Sequence, residues 1–112
     1  MIKTSQPAPG ITVVEPQFDR LTAANANGFK TALTELVEAG HNLLVIDFAP
    51  VSFVDSSGVG ALVGLLKRVG NRGEIALCGL NESVLQLFRI TRMDRVFSLQ
   101  PDTARAISAL QS

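Results

Sequence analysis

An α/β domain with a largely parallel sheet is the fold class that this sequence predicts. Strand-like and helix-like segments alternate along the chain, and the apolar run Leu43–Phe48 is followed by an Asp55-Ser56-Ser57-Gly58 turn that opens a helix. Such alternation uses helices as crossovers between parallel strands and leaves the ligand-facing loops beyond the carboxyl ends of those strands. The 112 residues fit one domain, 1–112, and a domain of this size buries roughly two-thirds of its unfolded surface without staples.

Met1–Gly10 is polar and contains Pro7 and Pro9, which suits an edge strand or a loosely held arm. Ile11–Val14 reads as a strand closed by Pro16. From Thr22 to Ala39, Ala26, Phe29, Leu33, Leu36 and Val37 follow the helical period, and Gly40 terminates the run. Leu43–Phe48, interrupted only by Asp47 and β-branched at Val45 and Ile46, is expected to be a strand covered on both faces. Val51–Val54 is extended again after the Ala49-Pro50 turn.

Asp55, Ser56 and Ser57 each offer a capping side chain, and Gly58–Val69 continues without proline and with helix-spaced apolar residues. Gly58, Gly60 and Gly64 need a packing reason, since glycine costs about 1 kcal/mol relative to alanine inside a helix. They predict a smooth stripe for close approach, either to the protein's own sheet or a neighbouring helix, or to a docked partner. After the Gly70-Asn71-Arg72-Gly73 turn, Ile75–Cys78 is a third buried strand. Asn81 caps a helix with Val84, Leu85, Leu87 and Phe88 facing inward, and Phe97 and Leu99 end a last short strand. Pro101, at a first-turn position, starts a closing helix with Ala104, Ile107 and Leu110 on its apolar face.

Ten basic and ten acidic side chains give zero formal net charge, so no basic field favours nucleic acid or anionic lipid. The single Cys78 forms no internal disulfide, and the N-terminus lacks the apolar core of a signal peptide, which makes the cytoplasm the expected location. The most apolar window contains Asp47, Pro50 and Asp55, well short of the ~20 apolar residues a membrane-spanning helix needs.

Enzymatic readings find little support. The residues around Ser57 do not match G-x-S-x-G. The lone histidine, His41, precedes the strand Leu43–Phe48, and a strand separates its two ends by roughly 17–20 Å; His41 reads as a solvated turn residue. One His, one Cys and scattered carboxylates offer no metal-ligand spacing, and Cys78 reads as a small core residue. Gly70–Gly73 is no phosphate loop, because it follows a helix and lacks the Lys-Ser/Thr ending. No cofactor is expected. A serine at a helix N-terminus remains, where the macrodipole favours an anion by roughly 0.3–1 kcal/mol. A phosphate there would add about −1.5 to −2 charge and three strong acceptors. From the residues alone, modification and simple helix capping both stay open.

The stretch Phe53-Val54-Asp55-Ser56-Ser57-Gly58-Val59-Gly60 resembles the STAS domain, in particular the free-standing anti-sigma factor antagonists, whose hallmark is an aspartate followed by a phosphorylatable serine and a glycine ahead of the second helix. The resemblance extends over Thr12–Val14, Arg20–Ala26, Ile75–Gly79 and Val84–Phe97. It implies a STAS-like α/β fold, with a mixed, mostly parallel sheet of about four to five strands packed with about four helices. It also implies a partner switch without catalysis by the domain itself. The unmodified form would bind an anti-sigma factor, typically a serine/threonine kinase, and so free a sigma factor for transcription. Phosphorylation of the second serine, Ser57, would release that partner, and a serine phosphatase would reset the molecule. Ser56 would hydrogen-bond the turn and Asp55 would shape it, with Gly58, Val59, Thr22 and Asn25 in the switch and partner-binding region. A homodimer stays open.

Two departures from the family pattern stand out. Thr22 occupies a position where many antagonists carry aspartate, with Asp19 three residues upstream, which weakens the acidic cluster. Thr91-Arg92-Met93-Asp94 stands where the family often reads Thr-Gly-Leu-Asp, so Arg92 is expected to alter a surface turn. A rival reading keeps the fold and makes the chain a subunit with a constitutive interface, in a stressosome scaffold or a lipid-transport complex. A third makes it a small-molecule sensor.

Overall fold

The computed structural model describes residues 1–111. Its strands are β1 (Ile2–Ala8), β2 (Ile11–Pro16), β3 (Arg20–Leu21), β4 (Leu43–Asp47), β5 (Phe53–Val54), β6 (Glu74–Cys78) and β7 (Ser98–Gln100). The helices are α1 (Ala26–Glu38), α2 (Ser56–Val69), α3 (Glu82–Ile90) and α4 (Thr103–Gln111). Five strands form the main sheet in the order β1-β2-β4-β6-β7. Only β1 runs antiparallel to its neighbour, so the mostly parallel α/β sheet predicted from the alternation is the one observed. β3 and β5 pair separately, in parallel.

The alternation of side chains along each central strand divides the core into two. Val14, Leu44, Ile46, Ile75 and Leu77 pack with Phe29 and Leu33 of α1, Leu62 and Leu65 of α2, and Val84 and Phe88 of α3. Residues of opposite parity, Ile11, Val13, Val45, Ala76 and Cys78, pack with Ala106 and Leu110 of α4. Period-2 side-chain placement is enough to produce this sorting. Small Ala76 and Cys78 leave room for α4 to close on that face. Burial pushes the Cys78 thiol up to about 11, and its Sγ lies 3.7 Å from Thr103 Oγ1. Cys78 is thus a protonated core residue, as its place in a strand suggests. Among the described residues no helix is long and apolar enough to cross a membrane.

The N-terminal segment is an edge strand, paired from Ile2 opposite Pro16 to Ala8 opposite Ile11, with an irregularity between Ser5 and Ala8 that accommodates Pro7. Other expectations need correction. Helix α1 begins at Ala26, four residues later than Thr22, because Asn25 bonds backward into the loop: its Oδ1 accepts from Thr22 N–H at 2.9 Å and its Nδ2 donates to Arg20 C=O at 2.8 Å. Helix α2 begins at Ser56, two residues earlier than Gly58. At α4 the cap is Asp102, whose Oδ1 accepts from Arg105 N–H at 2.8 Å. Pro101 therefore precedes the cap, and the buried face carries Ala106 and Leu110 with half-buried Ile107, leaving Ala104 exposed.

His41 is half-buried and is not a freely solvated turn residue. Its Nδ1 lies 2.8 Å from Thr12 Oγ1 and 3.1 Å from Gln6 Nε2, and Gln6 Nε2 also donates to Thr12 Oγ1 at 3.4 Å, so His41 and Gln6 together partner the hydroxyl of a buried threonine. Asn81 caps α3 through Oδ1 and Val84 N–H at 2.8 Å. Val84 and Phe88 are buried there as expected, whereas Leu85 and Leu87 are half-buried.

Arg92 adopts φ 60 and ψ 23, the left-handed conformation, between α3 and the 3-10 turn Met93–Arg95. A side chain in that region costs roughly 1–2 kcal/mol, which glycine avoids at the expense of a more flexible unfolded chain. Replacing Arg92 with Gly should therefore stabilise the fold by about 0.5–1 kcal/mol and raise Tm by a few degrees in a thermal melt. An unchanged or lowered Tm would show that the Arg92 side chain compensates for its backbone.

Candidate functional site

The short β3-β5 pair delivers the chain to the candidate site. Arg20 lies opposite Phe53 and Leu21 opposite Val54, and Asp55 N–H extends the pairing by donating to Leu21 C=O at 3.1 Å. Ser52 anchors the entry to β5, donating to the Asp19 carbonyl through its backbone N–H at 2.7 Å and its hydroxyl at 3.1 Å. Asp55 then leaves the strand with extended dihedrals and caps α2.

Its carboxylate holds two segments together. Oδ1 accepts from Gly58 N–H at 3.0 Å, satisfying one of the orphan donors of the helix, and Oδ2 accepts from Ala23 N–H at 3.2 Å, tying in the turn before α1. That turn carries its own bonds. Thr22 Oγ1 accepts from Ala24 N–H at 3.2 Å, and Asn25 bonds both Thr22 and Arg20 as described above. Thr22 and Asn25 thus sit beside the α2 N-terminus, joined to it through Asp55.

With the cap supplied by Asp55, Ser56 and Ser57 occupy the first two helical positions with exposed side chains. The hydrogen bonding of the turn expected of Ser56 is carried by Asp55 and Asn25. Gly58 and Val59 are buried and support the turn from beneath. A Cβ on Gly58 would lie 2.8 Å from both Leu21 Cγ and Val54 Cγ1, so glycine lets α2 settle directly on β3 and β5. The glycines do not form one stripe. Gly64 faces Lys30 of α1, while a Cβ on Gly60 would meet nothing within 4 Å.

Ser57 borders an open cleft of about 350 Å³ between the first turns of α1 and α2, with Ala23, Asn27, Lys30, Gly60 and Ala61 around it. On the other side of Asp55, the Arg20 guanidinium stacks over the Phe53 ring at 4.3 Å from its centroid, and Phe53 is 39% exposed. Asn27 and Lys30 carry no mark of their own in the sequence, and Arg20 and Phe53 stand there only as parts of the family-like stretches, without a site role. The helical spacing of Asn27 and Lys30 was a usable signal for a shared face, but which neighbour that face meets depends on how α1 lies against α2.

The residues from 4 to 106 match the STAS domain. This chain belongs to the STAS domain family. A candidate anti-sigma factor antagonist from Thermotoga neapolitana is 30% identical over 93 residues, covering 81% of this STAS chain and 82% of that protein. Among solved structures, a candidate anti-sigma factor antagonist from Thermotoga maritima superposes with a TM-score of 0.91 at 22% identity, over 99% of this chain and 95% of that one. The anti-sigma factor antagonist SpoIIAA, solved unphosphorylated, gives 0.74 at 17% identity over 100% and 99% of the two chains. SpoIIAA of Bacillus in its phosphorylated form gives 0.73 at 18% identity over 97% and 98%. The structural likenesses establish a shared STAS fold.

Two stability measurements test this account of the turn. Asp55→Ala, which removes the cap and the link to Ala23, should cost about 1–2 kcal/mol in urea unfolding; a loss confined to a few tenths would mean that water replaces both bonds. Gly58→Ala should destabilise because overpacking, at about 1–3 kcal/mol, outweighs the gain of about 1 kcal/mol in helix propensity. Gly60→Ala, in open space, should keep that gain. Equal effects at the two positions would refute the close approach of α2 to β3 and β5.

Proposed function

We propose that this STAS domain is an anti-sigma factor antagonist that acts by partner switching, with Ser57 as its phosphorylation site. The reading rests on one observation: Ser57 holds an exposed hydroxyl at the N-terminus of α2, on a turn whose capping is already done by Asp55. The similarity to named antagonists supports the choice of partner, and the existence of SpoIIAA in phosphorylated and unphosphorylated forms supports the choice of chemistry.

In this mechanism the unmodified domain, in the cytoplasm, binds an anti-sigma factor serine/threonine kinase through the Asp55–Ser57 turn, the Thr22–Asn25 turn and the exposed side of α2. The sigma factor is thereby released for transcription. The kinase transfers the terminal phosphoryl group of ATP to the Ser57 oxygen: the new ester bond forms as the bond to ADP breaks, and the hydroxyl proton passes to a base of the kinase. The domain supplies no catalytic group. Its role is to present the hydroxyl on a rigid turn, where the helix dipole tolerates the product.

Switching needs no refolding. A nearly dianionic group in the contact surface must be desolvated and repels partner carboxylates, with the Asp55 charge beside it. A differential of ~3 kcal/mol would weaken binding more than a hundredfold. Hydrolysis of the phosphoserine by a serine phosphatase restores the hydroxyl and releases inorganic phosphate.

Affinity purification from native cells, followed by mass spectrometry, is the direct test. Recovery of a small serine kinase with the unmodified protein supports the switch, whereas recovery of transporter ATPase subunits or a stressosome core would replace it with a constitutive assembly role. With that kinase in hand, Ser57→Ala should abolish phosphate incorporation and keep partner binding, while Ser57→Asp should weaken binding by about tenfold or more, as a difference of 1.4 kcal/mol requires. Phosphate still incorporated into the alanine variant would disprove the assignment of Ser57.

A further inference from the structure

We propose that Lys30 is the counter-ion of the phosphorylated Ser57, moving its ammonium from a seat over Gly64 to the new phosphate; this rests on the reading of Ser57 as the modified residue. Lys30 borders the cleft that Ser57 lines. It also borders the next cleft along the groove, with Thr34, Gly64, Lys67 and Arg68. A Cβ built on Gly64 would meet Lys30 Nζ at 2.7 Å and Cε at 2.8 Å, so the side chain lies flat against α2 where glycine leaves space.

The groove gives this lysine freedom that Arg68 lacks. Arg68 is held by Glu38 at 3.1 Å, whereas Lys30 forms no ion pair among the described residues. Gly64 is seven residues beyond Ser57, about 10 Å along the helix axis. Because the Lys30 stem borders both clefts, rotation about its flexible four-carbon chain redirects the ammonium without moving either helix.

Electrostatics favours the Ser57 end once a phosphate is present. Of the residues lining the Ser57 cleft, Lys30 from α1 carries the charge; in the adjoining turn Asp55 already accepts two backbone N–H bonds, and beyond it the Arg20 guanidinium is stacked on Phe53. Farther out, Lys67 and Arg68 share the second cleft with Lys30, and on its α1 side Lys30 also lines a shallow cleft with Glu35 and Glu38, the latter already paired with Arg68. An ammonium that reaches a phosphate oxygen at Ser57 forms a charge-assisted hydrogen bond, roughly twice as strong as a neutral one.

The test uses the full chain with phosphoserine installed at position 57 during synthesis, so no kinase is involved, and follows its titration by 31P NMR at low ionic strength. The second ionisation of the phosphate, near pH 6 for an ordinary phosphoserine, should fall lower in the wild type than in Lys30→Gln by about half a unit. Lys30→Arg should keep the wild-type value, and Lys67→Gln should leave it unchanged. Identical titration of the wild type and Lys30→Gln would overturn the proposal, as would an equal effect of Lys67→Gln, which would indicate a diffuse field in place of a specific contact. A kinase that fails to modify Ser57 would sink the switch itself and leave this titration interpretable.

Discussion

One carboxylate joins the two halves of the candidate site. Asp55 accepts the Gly58 N–H with one oxygen and the Ala23 N–H with the other, so the start of α2 and the turn before α1 are set by the same side chain. Neither segment belongs to the main sheet, and each is short of regular hydrogen bonds. The β3-β5 pair and the Gly58 contact with Leu21 and Val54 bring them close, and Asp55 fixes their register. Capping by the residue before Ser56 is also what leaves both serine hydroxyls outside the internal bonding of the turn.

This division of labour bears on the proposed switch. A serine that capped its own helix would lose a structural bond on esterification, and modification would be coupled to local unfolding. At Ser57 the cap is supplied by Asp55, so gain or loss of a phosphate changes the surface charge while the backbone beneath stays pinned. The recognition surface is then a rigid platform on which one group varies, with Lys30 able to follow it from the neighbouring helix.

Much of this was legible in the sequence, for reasons that can be located. The central strands read clearly because Leu44, Val45, Ile46, Ile75, Ala76 and Leu77 are apolar on both parities, as burial on both faces demands. Asn81 was readable as a cap from its position alone, whereas Asp55 was one of three candidates with Ser56 and Ser57. Departures collected where a polar side-chain bond or a packing contact, and not the apolar period, sets the element. Asn25 delays α1 because it bonds Arg20 and Thr22; His41 is drawn inward by Thr12, twenty-nine residues away; and α4 takes its phase from Asp102 and from the shallow seat over Ala76 and Cys78. Lys30 escaped notice for the same reason. Its significance lies in the packing of α1 on α2, which no local pattern encodes. Arg92 departs from the family pattern, and the backbone shows why glycine would be at ease there.

The outermost strands have a consequence for how copies of this chain can meet. β1 carries Pro7 within its irregular stretch, and Pro9 follows in the turn to β2, so two amide donors are missing near one margin of the sheet. β7, at the other margin, is only three residues long. A neighbouring copy finds no long, regular ladder to extend at either border. Sheet-to-sheet polymerisation is discouraged by the same prolines that left the first ten residues readable as either an edge strand or a loosely held arm, and encounters between copies are left to helices and loops.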